Sequence, residues 1–161
     1  MNKKHLSVLG VGPIYVSVIL ITTCVLYVLN YSKILPSFEF PIPLVTLLLG
    51  VLLIIIGIVL WVNAVISSKI TVKIKNNILV TNGIFAYVRN PIYSAFMFIC
   101  SGVIIYSNNI ILFVVPLLFW LFLTVLMINT EEKWLRDLYK DEYDDYCKKV
   151  NRCIPMFKKT I

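Results

Sequence analysis

Charge is scarce in this sequence. Only 14% of its 161 residues are Asp, Glu, Lys or Arg, where an ordinary soluble domain carries about 25%. Mean hydropathy is +0.90, and the two together exclude a water-soluble globule. Histidine is nearly missing, with His5 standing alone. The four cysteines (Cys24, Cys100, Cys147 and Cys153) form no CxxC pair and have no histidine at zinc spacing, so no metal is expected. Cys24 and Cys100 fall within apolar runs, and the other two lie in a polar tail, so all four read as buried or spectator thiols. Glycine is sparse as well. Gly83 is isolated, and no GxGxxG follows a strand, which excludes the dinucleotide fingerprint of soluble α/β enzymes. The small-residue cleavage pattern of a signal peptide is also lacking after Lys3, Lys4 and His5, so the first apolar run is expected to be retained.

What the sequence has is long apolar runs. The first, Val11 to Tyr31, is about twenty residues, enough to cross ~30 Å of hydrocarbon. Pro13 near its start suits a first helical turn. Ser32 to Pro43 holds Lys33, Pro36, Glu39 and Pro41 and reads as a proline-stiffened loop. A second run, Leu44 to Ile66, ends near Trp61 and Asn63, at the boundary where an indole is favoured. A third, Pro91 to Tyr106, is short and fits one arm of a helical hairpin. Ser107-Asn108-Asn109 is the turn, and Ile110 to Ile128 is the fourth run, with a kink expected at Pro116. Between runs two and three, Lys69 to Val80 alternates β-branched with polar residues around the turn signal Asn76-Asn77, predicting a small hairpin or short extended segment at the membrane surface. From Thr130 onward Trp134, Leu135, Leu138, Tyr139, Tyr143, Tyr146 and Val150 recur at helical spacing, predicting an amphipathic helix.

The fold expectation is therefore an all-α integral membrane protein. It has about four transmembrane helices, a short extended segment before the third, and a cytosolic amphipathic C-terminal helix. It forms one membrane domain, with residues 1–68 as an N-terminal helical pair and 69–161 as the half that carries chemistry. Four crossings put both termini on one side. Of the fifteen Lys and Arg, only Lys33 falls on the other side. That asymmetry orients termini and middle loop to the cytosol of a multi-pass cell-membrane protein, and it accounts for the net charge of +7 without nucleic acid.

The polar stretch LVTNGIFAYVRNPIY, Leu79 to Tyr93, is held between apolar runs and must face water or line a cavity. Arg89 is a snorkelling cation or an anchor for an anionic group. Glu131-Glu132 follows the last run; it suits the start of a helix capped by Thr130, or a binding site.

In the order LVTNGIFAYVRNPIY, helical hairpin, TEEKWL, YKDEYDDYCKKVNRCIP, the chain from Ile78 to Phe157 resembles the isoprenylcysteine carboxyl methyltransferase family. Phospholipid methyltransferases share a similar layout. The resemblance implies an S-adenosylmethionine (AdoMet) dependent methyltransferase with its cofactor pocket on the cytosolic side and an apolar, membrane-soluble methyl acceptor. By position it assigns cofactor contacts to Asn77, Ile78, Leu79 and Val80, and to Phe85 where the family usually has tyrosine. It also assigns Asn90, Pro91, Ile92 and Tyr93 as the counterpart of the family's RHPxY motif, and Glu131 as the acidic anchor. Arg89, Glu132 and Arg152 are candidates for the acceptor side, and no residue is assigned to catalysis itself. Asn90 replaces the motif's histidine: an amide still donates and accepts hydrogen bonds but does not titrate near neutrality. The arginine that eukaryotic members place shortly before the glutamate has no counterpart in Met127-Ile128-Asn129. Two other readings remain: a membrane reductase of similar helical layout, and a catalytically silent scaffold or ligand-binding protein that keeps the pocket.

Overall fold

The structure is a computed structural model that describes residues 11–67 and 78–156. Among these described residues six α-helices run in the order α1 Gly12–Tyr31, α2 Pro43–Ser67, α3 Pro91–Tyr106, α4 Val115–Asn129, α5 Glu131–Tyr139 and α6 Asp141–Lys149. Single 3-10 turns at Gly83–Ala86 and Ile110–Val114 precede α3 and α4. Among the described residues there is no strand, only two isolated bridges. Most of the expected extended segment, residues 68–77, lies outside the described residues, and Ile78–Val80 take no regular structure.

Among the described residues three helical segments are long and apolar enough to cross a membrane, namely Gly12–Tyr31, Pro43–Ile66 and the run from Ile110. The chain is a multi-pass membrane protein. At 16 residues α3 is shorter, about 24 Å at 1.5 Å per residue, and it is the helix the others surround. Its buried positions are mostly small: Ser94, Ala95, Cys100, Ser101 and Gly102, with Met97 and Ile104. These let α2 approach closely. A Cβ on Gly102 would stand 2.6 Å from the carbonyl oxygen of Gly50, and one on Gly57 would stand 2.7 Å from that of Ala95. Hydrocarbon supplies no hydrophobic drive between helices, so this backbone proximity holds the pair together. The outer side of α2 exposes Leu48, Leu52, Ile55, Val59 and Ile66 to the acyl chains. On the other flank of α3, α1 buries Gly12, Tyr15, Ile19 and Thr23, and α4 buries Val115, Phe119, Leu123 and Met127. Both are three- and four-residue stripes facing one core.

The two ends differ in chemistry. At one end the α1–α2 loop is clasped by the turn before α4. Asn109 is buried, its amide donating to Asn30 Oδ1 at 2.7 Å and to the Pro36 carbonyl at 3.1 Å. Its own Oδ1 accepts from the Ile111 N–H at 3.1 Å. Thr46 Oγ1 donates to Asn108 Oδ1 at 2.8 Å alongside. At the other end the C-terminal segment lies beside the entry to α3. The Arg89 N–H donates to the Asn151 carbonyl at 2.9 Å, and the Met156 N–H to that of Tyr87 at 3.1 Å.

Three local expectations take a different form. Pro116 sits in the first turn of α4, where its missing N–H costs nothing, so the break falls before it, in the 3-10 turn. The Thr130 hydroxyl turns back to the Leu126 carbonyl, 2.5 Å away, instead of capping α5. The amphipathic stretch is two helices divided at Lys140, whose φ of 48° breaks the helix.

Candidate cofactor and acceptor site

Glu131 and Glu132 open α5 directly after a sharp bend at Thr130 (φ −126°, ψ −89°). Consecutive residues on a helix project about 100° apart, so the two carboxylates serve different neighbours. Glu131 Oε1 accepts from the Tyr93 hydroxyl at 2.7 Å and from the Val11 N–H at the start of α1 at 3.0 Å. Tyr93 meets Tyr15 edge-on, with centroids 6.3 Å apart and planes at 64°. Tyr15 is fully buried and donates its hydroxyl to the Phe119 carbonyl at 3.3 Å.

Glu132 is turned inward and is 1% exposed. Its Oε1 lies 3.2 Å from Arg89 Nη2. Arg152 grips it with two bonds, Nε to Oε1 at 2.5 Å and Nη2 to Oε2 at 3.0 Å, the fork geometry that makes guanidinium–carboxylate pairs strong. The Arg89 side chain, 8% exposed, also donates from Nη1 to Tyr143 Oη at 3.4 Å and to the Cys147 sulfur. Its guanidinium lies 6.0 Å from the Tyr143 ring centroid, within cation–π reach. Its Nε is buried without a partner.

Burial pushes the phenols of Tyr143 and Tyr146 and the thiol of Cys147 up, and the Cys153 thiol to about 11. Near neutral pH none of these supplies negative charge. The hydrogen bond to Glu132 raises Arg152 further, so it stays protonated. Two guanidiniums against one carboxylate leave the cluster with one excess positive charge. On the outer side of α6, Arg136, Asp141, Asp144, Asp145, Cys147 and Lys148 line a polar surface cleft of about 540 Å³.

The residues singled out from the sequence fall into two groups. Tyr93 and Glu131 come together against α1. Arg89, Glu132 and Arg152 come together beneath α6. Asn90 joins the second group: its side-chain amide and its N–H both donate to the Arg152 carbonyl, at 3.1 and 3.3 Å. Leu79 packs in the cluster of Tyr143, Tyr146 and Val150, and the Phe85 carbonyl accepts from Tyr146 Oη at 2.6 Å. Pro91 is buried in the first turn of α3, Val80 and Ile92 are half-buried, and Ile78 is exposed. Asn77 lies outside the described residues. Sequence reasoning missed Val11, Gly12 and Tyr15. The one available signal was a residue without a side chain at the start of the first apolar run.

A family model described as phospholipid methyltransferase matches residues 45–142, from the start of α2 to the start of α6. The protein-S-isoprenylcysteine O-methyltransferase of Schizosaccharomyces pombe (strain 972 / ATCC 24843) is 36% identical over 93 residues, covering 57% of this chain and 38% of that protein. The chain thus spans well under half the length of this curated relative. No solved structure matches the chain.

Proposed function

The chain belongs to the phospholipid methyltransferase family, and from that premise we propose that it transfers a methyl group from AdoMet to a membrane-soluble acceptor. The observation that carries this reading is the 2.7 Å hydrogen bond between Tyr93 and Glu131. It joins the tyrosine of the RNPIY motif to the first carboxylate after the last span, 38 residues away in sequence.

The residues at this end of the bundle fit the donor. Glu131 offers a half-buried carboxylate to the ammonium group, with its orientation fixed by two donors. The Tyr93 ring supplies an aromatic face for the sulfonium. Leu79, packed among Tyr143, Tyr146 and Val150, supplies an apolar wall suited to adenine. The sulfonium methyl is already activated when AdoMet is bound, so the protein's task is to align, to exclude water and to hold charge.

The excess positive charge of Arg89 and Arg152 over Glu132, with Arg89 Nε left over, favours an acceptor that presents an anionic oxygen. A prenylcysteine-like carboxylate on an apolar tail is such a group. Carboxylate methylation needs no general base, which suits Asn90 in the place of histidine. We place the site and termini on the cytosolic side, because all the Lys and Arg except Lys33 fall, in sequence, within the terminal segments and the loop between the second and third apolar runs.

Calorimetry of AdoMet binding to detergent-purified protein tests the reading. Micromolar affinity is expected, on the order of −7 to −8 kcal/mol, weakened more than tenfold by Glu131→Ala. No heat and no competition by S-adenosylhomocysteine, in protein shown to be folded, would refute it. Transfer of labelled methyl into a membrane extract then identifies the acceptor atom. A base-labile product is a carboxyl ester, and a base-stable one is an alkylated amine.

A further inference from the structure

The family match begins at residue 45 and so omits α1, yet α1 reaches Glu131. We propose that Gly12 is a positioning residue of the AdoMet site: its missing side chain seats Tyr93 against the first turn of α1, so that Tyr93 and the Val11 N–H hold one oxygen of Glu131 together. This rests on the AdoMet reading above.

The contact leaves no room at position 12. A Cβ there would lie 2.4 Å from Tyr93 Cε1, 2.7 Å from its hydroxyl oxygen and 2.9 Å from Cζ. The ring has little freedom to yield. Its hydroxyl is tied to Glu131, its edge meets Tyr15, and Tyr15 is itself fully buried and tied to the Phe119 carbonyl. An added methyl therefore forces one of two movements. Either Tyr93 swings off Glu131, or the first turn of α1 lifts and withdraws the Val11 N–H. Both remove a fixed donor from Glu131 Oε1, and the carboxylate that pairs with the ammonium group loses its set orientation. Binding then has to order it, which costs affinity.

The test compares AdoMet dissociation constants for wild type, Gly12→Ala, Val11→Pro, Tyr93→Leu and the Gly12→Ala/Tyr93→Leu double variant, with Tm recorded for each ligand-free protein. Val11→Pro deletes the N–H at a position preceding the helix, exchanging one apolar side chain for another and drawing φ in from −93°, and its Tm reports any packing cost separately. Expected are at least tenfold weaker binding for Gly12→Ala and three- to tenfold for Val11→Pro. In the Tyr93→Leu background, where the clashing ring is gone, Gly12→Ala should change affinity less than twofold. A merely structural glycine would lower Tm and leave the affinity of the folded fraction unchanged; that result overturns the proposal. An equal loss in the Tyr93→Leu background overturns it too. Should Gly12→Ala fail to fold, Val11→Pro decides, and unchanged or tighter binding refutes the idea. Wild type that binds no AdoMet overturns the methyltransferase reading, and this inference falls with it. Wild type that binds, with both α1 variants unaffected, overturns this inference alone.

Discussion

Replacing Glu132 should unfold this protein early, while replacing its neighbour Glu131 should chiefly empty the site. Glu132→Ala strands two guanidiniums. Arg152, 23% exposed, swings toward water and loses little. Arg89, 8% exposed, has no such exit, because its backbone N–H is pinned to the Asn151 carbonyl and its head lies on Tyr143. Removing one partner of a buried pair costs about 3–5 kcal/mol. Discounting the share of Arg152, about 3 kcal/mol remains. For a chain of 150–250 residues each kcal/mol moves Tm by roughly 2–4 °C, so a fall of about 6–12 °C is expected, measured by tryptophan fluorescence in detergent. Glu132→Gln, which keeps the shape, should lose most of the same amount, since charge is the larger part. The double variant Glu132→Leu/Arg89→Met should recover most of it, because apolar groups of similar volume can replace a buried pair. Glu131→Ala forfeits two hydrogen bonds at the rim and should lower Tm by less than half as much, while weakening AdoMet more than tenfold. A Glu132→Ala protein within 2 °C of wild type would refute the reasoning, as would equal Tm losses for the two glutamates.

Other substitutions separate clasp, motif and thiols. Asn109→Leu removes three hydrogen bonds and orphans the Pro36 carbonyl; at about 1 kcal/mol each, a loss of roughly 2–4 kcal/mol should appear in thermal unfolding, with AdoMet affinity unchanged. Asn90→His should preserve stability, because an imidazole N–H can still donate to the Arg152 carbonyl, whereas Asn90→Ala should cost about 1 kcal/mol. Water-soluble maleimide should label Cys147, which lines the surface cleft, and spare buried Cys153. With its pKa at about 11, Cys153 holds about one thiolate per thousand at pH 8. Its labelling should rise as pH climbs toward 11 and jump on denaturation; rapid labelling of native protein at neutral pH would contradict the packing.

The spans were legible because hydropathy contrast is strong and prolines mark the boundaries. Pro13, Pro43, Pro91 and Pro116 all stand in first helical turns. Lys140 was not legible, because a lysine with positive φ carries no composition signal of the kind glycine gives. The same contrast governs the site. Tyr93 and Glu131 were chosen through the family resemblance, and the fold puts them in contact. Arg89, Glu132 and Arg152 were chosen as separate acceptor-side candidates, and their fusion into one ion cluster depends on α6 folding back, which no local pattern encodes. Val11 and Gly12 contribute an N–H and an empty volume. Neither is a side-chain chemistry, so a reading of residue types passes over them.

The clasp at the far end also sets an order in time. Asn30 leaves the ribosome 79 residues before Asn109, the partner of its side-chain oxygen. The Pro36 carbonyl waits 73 residues for the same amide. Until Asn109 is in place, these two acceptors have only water in its stead. Closing the loop onto the Asn108–Asn109 turn becomes possible only when α3 has delivered that turn to the same end. The latch between the two helical hairpins is therefore a contact that no chain ending before residue 109 can make.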